Sequence, residues 1–191
     1  MSQSFEFEEL ELKGAYLIKP FISEDIRGKF IKDYSKKIFN ENNIAHNLKE
    51  TFYTISKRGV IRAIHFQEVK QQAKLVRCLK GKVYDVIVDL RPESPTFKKW
   101  LGFYLSDQNN YELLVPEYFG HGYLVLEESI VSYKCAERFY GEYDRGIIWN
   151  DKNINITWPI EEIGGIEKLV LSEKDKELGT FEDFINENKI S

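Results

Sequence analysis

Three histidines occur among the 191 residues, and two of them have neighbours suited to acid–base chemistry. An imidazole titrates near neutral pH, so a positioned histidine can act as a general base. His65 ends the string S-K-R-G-V-I-R-A-I-H-F-Q (Ser56–Gln67), at the close of an expected strand. Taken alone, it reads as a core histidine satisfied by a backbone carbonyl. Strict alternation puts Arg62 and His65 on opposite faces. Both can line one cavity only if the strand bulges near Ala63 or ends early. His121 lies between Gly120 and Gly122 in P-E-Y-F-G-H-G-Y (Pro116–Tyr123). There an exposed turn and a close backbone approach to a ligand are equally supported. His46, in the polar stretch N-N-I-A-H-N-L-K-E (Asn42–Glu50), reads as a solvated surface residue.

The other candidates also have ordinary readings. Tyr133 sits on an alternating strand, where a tyrosine usually packs and keeps its hydroxyl at the surface. Lys74, Arg62 and Arg77 supply cations near the His65 strand, and arginine suits bidentate diphosphate recognition. Ser172-Glu173-Lys174-Asp175 has the pattern of a capping box, with Asp175 returning a bond to the Ser172 backbone. A His-x-His metal pair would need a histidine where Gln67 stands, and glutamine is a poor transition-metal ligand, so no metal is expected.

Positioning these residues requires a β framework. The chain carries 13 Phe, 11 Tyr and 3 Trp, types that favour half-buried pleated surfaces. Expected strands cover Ala15–Ile22, Lys29–Tyr34, Thr51–Ile55, Val60–Phe66, Lys74–Leu79, Lys82–Leu90, Trp100–Leu105, Tyr111–Val115, Tyr123–Leu126 and Ile130–Cys135. Lys80-Gly81 reads as a tight hairpin turn. Many short strands at this spacing predict a sandwich or barrel. Two helical stretches are expected: Ser35–Asn42 with Ser35 as N-cap, and a tail from Ser172 to about Lys189 broken at Gly179. A single domain over residues 1–191 is expected.

Net charge is −4 with no basic stripe, which argues against nucleic-acid binding. Cys78 and Cys135 belong to no C-x-x-C pair and read as reduced thiols. The start of the chain has no signal-peptide pattern and no apolar run spans a membrane. A soluble cytoplasmic protein with no membrane partner is expected.

Taken in order, these strings resemble the dTDP-4-dehydrorhamnose 3,5-epimerase family. The resemblance runs through D-I-R-G-K-F (Asp25–Phe30), the His65 string, a continuous stretch from Lys74 to Trp100, the His121 string and S-Y-K-C (Ser132–Cys135). It continues through G-I-I-W-N-D (Gly146–Asp151), I-T-W-P (Ile156–Pro159) and L-S-E-K-D (Leu171–Asp175). It implies a mainly β, cupin-like jelly-roll barrel with short flanking helices and a C-terminal helix. It also implies epimerisation at carbon 3, carbon 5 or both of a nucleotide-diphosphate-linked 4-keto sugar through an enolate, without a cofactor. The family's base falls on His65, its partner carboxylate on Asp175, its acid on Tyr133 and the lysine near the carbonyl oxygen on Lys74. Arg62, His121 and Lys174 match substrate-contacting positions. Arg27 matches an arginine that reaches the partner subunit's site in a homodimer.

Several ligand-reading positions depart from the family pattern. Lys32 replaces an acidic residue, and Glu50-Thr51-Phe52 replaces a Gln-Asp-Asn segment. Ala63 replaces a glycine, Arg138-Phe139-Tyr140 occupies a double-tyrosine region, and Asp144 replaces a nucleotide-facing glutamate. Such swaps alter hydrogen-bonding capacity and hence ligand choice. A GDP-linked 4-keto heptose or hexose is therefore expected alongside the dTDP-4-keto-6-deoxyhexose, within bacterial capsule or lipopolysaccharide synthesis. A sugar-nucleotide 3,4-ketoisomerase and a non-catalytic sugar-nucleotide-binding cupin remain as alternatives.

Overall fold

Alternating side chains on short strands produce two antiparallel sheets in a computed structural model that describes residues 4–188. One sheet has six strands in the order β1 (Glu6–Glu9), β2 (Tyr16–Lys19), β10 (Glu112–Val115), β7 (Lys74–Lys80), β12 (Ser129–Cys135) and β5 (Glu50–Ser56). The other has five: β13 (Asp144–Gly146), β6 (Ile61–Gln67), β11 (Phe119–Val125), β8 (Lys82–Asp89) and β9 (Trp100–Ser106). Strands β3 (Phe21–Asp25) and β4 (Gly28–Lys32) form a separate hairpin. The architecture is the cupin-like jelly roll that the resemblance implies.

Between the sheets lies a core that includes Val76, Cys78, Val83, Ile87, Tyr123, Val131 and Tyr133. Strand β12 shows why: Val131, Tyr133 and Cys135 are buried, while Ile130, Ser132 and Lys134 are only half-buried, a period of two. The five-stranded sheet is covered on its outer face too. There Ile61, Ile64, Val86 and Val88 pack against Ile154, Trp158 and Phe181 of the C-terminal segment. Cover on both faces buries β11 along its whole length and β8 from Asp85 onward.

Several expectations need correction. Lys80-Gly81 does not close a hairpin, because β7 and β8 belong to different sheets. Gly81, at φ 77°, turns the chain across the sandwich, and a Cβ there would stand 2.2 Å from the Glu128 carbonyl. Pro20 divides the first expected strand into β2 and β3. Strand β11 begins at Phe119, so His121 lies within a strand and is buried. Strands β1 and β13 carry no sequence signal, since four and three residues are too few for a visible period.

The helix α1 (Lys36–Glu41) follows Ser35 as expected, although the Ser35 side chain makes no cap bond. Its Phe39 packs with Ile18, Ile44, Leu75 and Leu114 on the outer face of the six-stranded sheet. This cluster draws His46 inward, so the ring is buried rather than solvated. Its Nε2–H donates to the Lys134 carbonyl at 3.0 Å, and burial pulls its pKa below the ordinary value. The tail forms α2 (Glu173–Lys176) and α3 (Phe181–Glu187), with the break near Gly179. Lys189, where the expected helix ends, lies outside the described residues.

Candidate active site

Strand β6 carries the irregularity that the Arg62–His65 spacing requires. His121 pairs with His65 and Tyr123 with Arg62, so two steps along β11 meet three along β6. The extra residue is a bulge at Ala63–Ile64, where the peptide bond is cis. A bulge re-aims the side chains beyond it, and Arg62 and His65 both line one cavity of about 290 Å³.

That cavity also receives Lys74 from the start of β7, Tyr133 from β12, His121 from β11 and Phe52 from β5. Phe139, Asp144, Lys174 and Asp175 complete the wall, together with Thr54, Gln72 and Ser172. The Nε2–H of His65 donates to Asp175 Oδ1 at 2.6 Å. Asp175 keeps part of its capping character: its backbone N–H donates to Ser172 Oγ at 3.1 Å. The Ser172 hydroxyl in turn donates to Asp175 Oδ2 at 2.5 Å. Cap and carboxylate–histidine pair are thus one device, in which the helix start fixes the carboxylate that fixes the imidazole.

Burial pulls the His65 pKa down, but its bond to Asp175 and the nearby carboxylate of Asp144 more than offset it, leaving it raised. Burial opposes ionisation of Asp175, yet its bonds to His65 and Ser172 hold it below the usual carboxylate range. Burial lowers Lys74, whose side chain makes no hydrogen bond or ion pair among the described residues. Its ammonium is therefore available to an oxygen in the cavity. Tyr133 is raised well above 10, chiefly by burial, and stays protonated at neutral pH. Its ring stacks on Phe52 at 4.8 Å between centroids and meets His121 edge-on at 5.9 Å.

Four expected site residues do not line this cavity. Glu50 accepts the Phe139 backbone N–H at 2.8 Å and so braces a lining residue from behind. Tyr140 donates its backbone N–H to Gln67 Oε1 at 2.8 Å, and its ring packs on Tyr143. Lys32 lies on β4 opposite Phe21. Arg27 is exposed beyond the tip of β3 and paired with Asp25 at 2.6 Å. Gln67 has a structural task, donating from its amide to the Lys70 and Arg138 carbonyls.

Asp85, which the motifs do not single out, stands behind the cavity and holds the lining residue His121. It is fully buried and accepts the His121 Nε2–H at 2.9 and 3.0 Å. Burial raises its pKa, while His121 and Lys74 draw it back. A signal for it exists: alternation along β8 puts an aspartate between the inward Val83 and Ile87. A charge at a core position needs a partner.

A half-buried imidazole with a fixed tautomer, an unpaired lysine and a protonated phenol in one cavity have the chemistry to take a proton from carbon beside a carbonyl and return one. Comparison with known proteins agrees with that chemistry. The family model for dTDP-4-dehydrorhamnose 3,5-epimerase matches residues 9–183. The dTDP-4-dehydrorhamnose 3,5-epimerase of Methanothermobacter thermautotrophicus is 44% identical over 173 residues, covering 90% of this chain and 92% of the relative. The Legionella pneumophila epimerase, crystallised with dTDP-4-keto-L-rhamnose, has a TM-score of 0.88 at 31% identity, covering 94% of each chain. The Bacillus anthracis enzyme with TDP and pyrophosphate bound has a TM-score of 0.86 at 38% identity, covering 93% of this chain and 99% of that one. Agreement of this extent, in sequence and in fold, makes the chain a sugar-nucleotide isomerase that belongs to the dTDP-4-dehydrorhamnose 3,5-epimerase family.

Proposed function

We propose that this epimerase inverts carbons 3 and 5 of a dTDP-linked 4-keto-6-deoxyhexose. The observation that carries the reading is His65, locked by Asp175 in the same cavity as Tyr133 and the unpaired Lys74. His65 removes the proton beside the C4 ketone, and the C–H electron pair moves into an enolate. Lys74 donates a hydrogen bond to the enolate oxygen, where the negative charge develops. Tyr133 delivers its hydroxyl proton to the opposite face of the carbon, which inverts the centre. Solvent then restores the tyrosinate and takes the proton from the imidazolium. The substrate's ketone is the electron sink throughout, so the chemistry calls for no cofactor. Arg62 and Lys174 at the cavity wall suit the diphosphate.

The ligands named for the Legionella and Bacillus relatives are thymidine compounds, which favours dTDP over the GDP-linked sugars expected from the substituted positions. We assign the enzyme to the cytoplasm and to bacterial surface-polysaccharide synthesis. No helix among the described residues is long and apolar enough to cross a membrane. A homodimer is also part of this proposal, with Arg27 reaching the partner's site. Exposed Ile22, Ile26 and Phe30 on the β3–β4 hairpin support it, since apolar side chains there favour a protein contact.

Incubation with dTDP- and GDP-linked 4-keto sugars in deuterium oxide tests the reaction. Deuterium at carbons 3 and 5 of the dTDP sugar, with both centres inverted, is expected. A moved carbonyl would identify a ketoisomerase. Binding without exchange, unaffected by His65→Ala, would identify a non-catalytic protein.

A further inference from the structure

His65 is flanked by two carboxylates. Asp175 takes the Nε2 proton, and Asp144 Oδ1 stands 3.8 Å from Nδ1. At that separation Asp144 makes no direct hydrogen bond, so the Nδ1 lone pair stays open to a proton. Its charge still acts at close range on a ring largely removed from water. Asp144 is held in turn by Lys174 Nζ at 2.5 Å.

The fold builds this contact. Strand β13 pairs with β6 so that Gly146 faces His65 and Asp144 faces Gln67. A Cβ at Gly146 would lie 2.6 Å from the Ile64 carbonyl, so the close approach of β13 depends on glycine.

We propose that Asp144 is a positioning residue for the base, holding the Nδ1 side of the His65 ring and setting, with Lys174, the pH at which that nitrogen is free to accept a proton. The role of His65 as base rests on the epimerase reading, whereas the electrostatic coupling does not. The charged groups around the ring favour Asp144 for this role. Asp175 and Lys174 come from α2, Lys74 from β7, Tyr133 from β12 and Arg62 from β6 itself. His121 from β11 is paired with Asp85 of β8. Asp144 and Asp175 are the charged neighbours that raise the His65 pKa against burial. Burial opposes the ionised form of Asp144, but His65 and Lys174 hold it below the usual carboxylate range.

Proton NMR titration of the full chain tests the coupling without turnover. With three histidines in the sequence, the His65 ring signal is identified by its loss in His65→Asn. Asp144→Asn is expected to lower the His65 midpoint by about one pH unit. Lys174→Gln, which removes the cation neutralising Asp144, is expected to raise it. The acidic limb of kcat/KM should move with the midpoint in both variants. An unchanged midpoint in Asp144→Asn, or a fall in Lys174→Gln, overturns the proposal. An unchanged midpoint with a raised KM would make Asp144 a ligand contact instead. A shifted midpoint in a protein that exchanges no deuterium upholds the coupling and refutes the epimerase reading alone.

Discussion

Replacing Asp175 with asparagine removes the charge behind the proposed base while keeping its shape. Two donors converge on this carboxylate: His65 Nε2–H at 2.6 Å and the Ser172 hydroxyl at 2.5 Å. An amide offers one acceptor oxygen and one donor group. Ser172 has a rotatable proton and two lone pairs, so it can accept from the new amide NH₂ and leave the amide oxygen facing His65. The tautomer then survives and only the stabilisation of the imidazolium is lost. We expect kcat to fall about 10²-fold, the low end for a positioned acid–base group, equivalent to about 2.7 kcal/mol. The acidic limb of kcat/KM should also move to lower pH, because the vanished charge no longer favours the protonated ring.

The double variant Ser172→Ala/Asp175→Asn behaves differently. No hydroxyl then orients the amide, which can turn its NH₂ towards Nε2 and invert the tautomer. The loss should approach about 10⁴-fold, as when a catalytic histidine is held in the wrong tautomer. Ser172→Ala alone removes an N-cap, costing about 1 kcal/mol of stability, and lowers kcat less than Asp175→Asn does, because the carboxylate charge and its bond to His65 stay. Deuterium wash-in and thermal unfolding, measured on all three variants, separate chemistry from folding. The reasoning is refuted if Asp175→Asn turns over like the parent, or if the double variant is no slower than the single one.

Three further outcomes follow from the geometry. The pH profile of kcat/KM should rise through a midpoint above 6.5, because the carboxylates hold the His65 pKa raised. It should fall again below 10.5 as buried Lys74 loses its proton; Lys74→Met should remove that limb and lower kcat about 10²–10³-fold. Tyr133→Phe should keep deuterium exchange beside the ketone but lose inversion, since His65 returns the deuteron to the face it came from; NMR of recovered substrate reads both. Gly122→Ala places a Cβ 2.6 Å from Ala63 Cβ and from the Arg62 carbonyl, at the β6 bulge. Overpacking there should destabilise by about 1–3 kcal/mol, a fall in Tm of roughly 2–12 °C, read by thermal denaturation.

Much of the sheet framework is legible in the chain because a half-buried strand writes its two faces into alternate residues. Strand β12 is the clear case: the alternation of the sequence alone puts Val131, Tyr133 and Cys135 on one face, and that face is the buried one. That Arg62 and His65 share a cavity only if the strand bulges or ends early is legible too, from their odd spacing. The roles proposed for His65, Tyr133, Lys74 and Asp175 are not carried by local pattern, since each has an ordinary packing or capping explanation. The ordered resemblance to a family suggests them.

The tertiary structure alone decided what depends on contacts distant in sequence. His65 meets Asp175 across 110 residues, and no period or spacing encodes that approach. His46 reads as polar locally but is buried because Phe39 and Ile44 close over the outer face of a sheet. Gly81 looks like a hairpin turn, yet strand pairing, which local sequence does not determine, sends β7 and β8 into different sheets. Asp144 shows the difference most directly. Sequence places it among ligand contacts, while the three-residue pairing of β13 with β6 brings it to the second nitrogen of His65. Residue type determined which groups could exchange protons, and the packing of the two sheets determined which of them share a cavity.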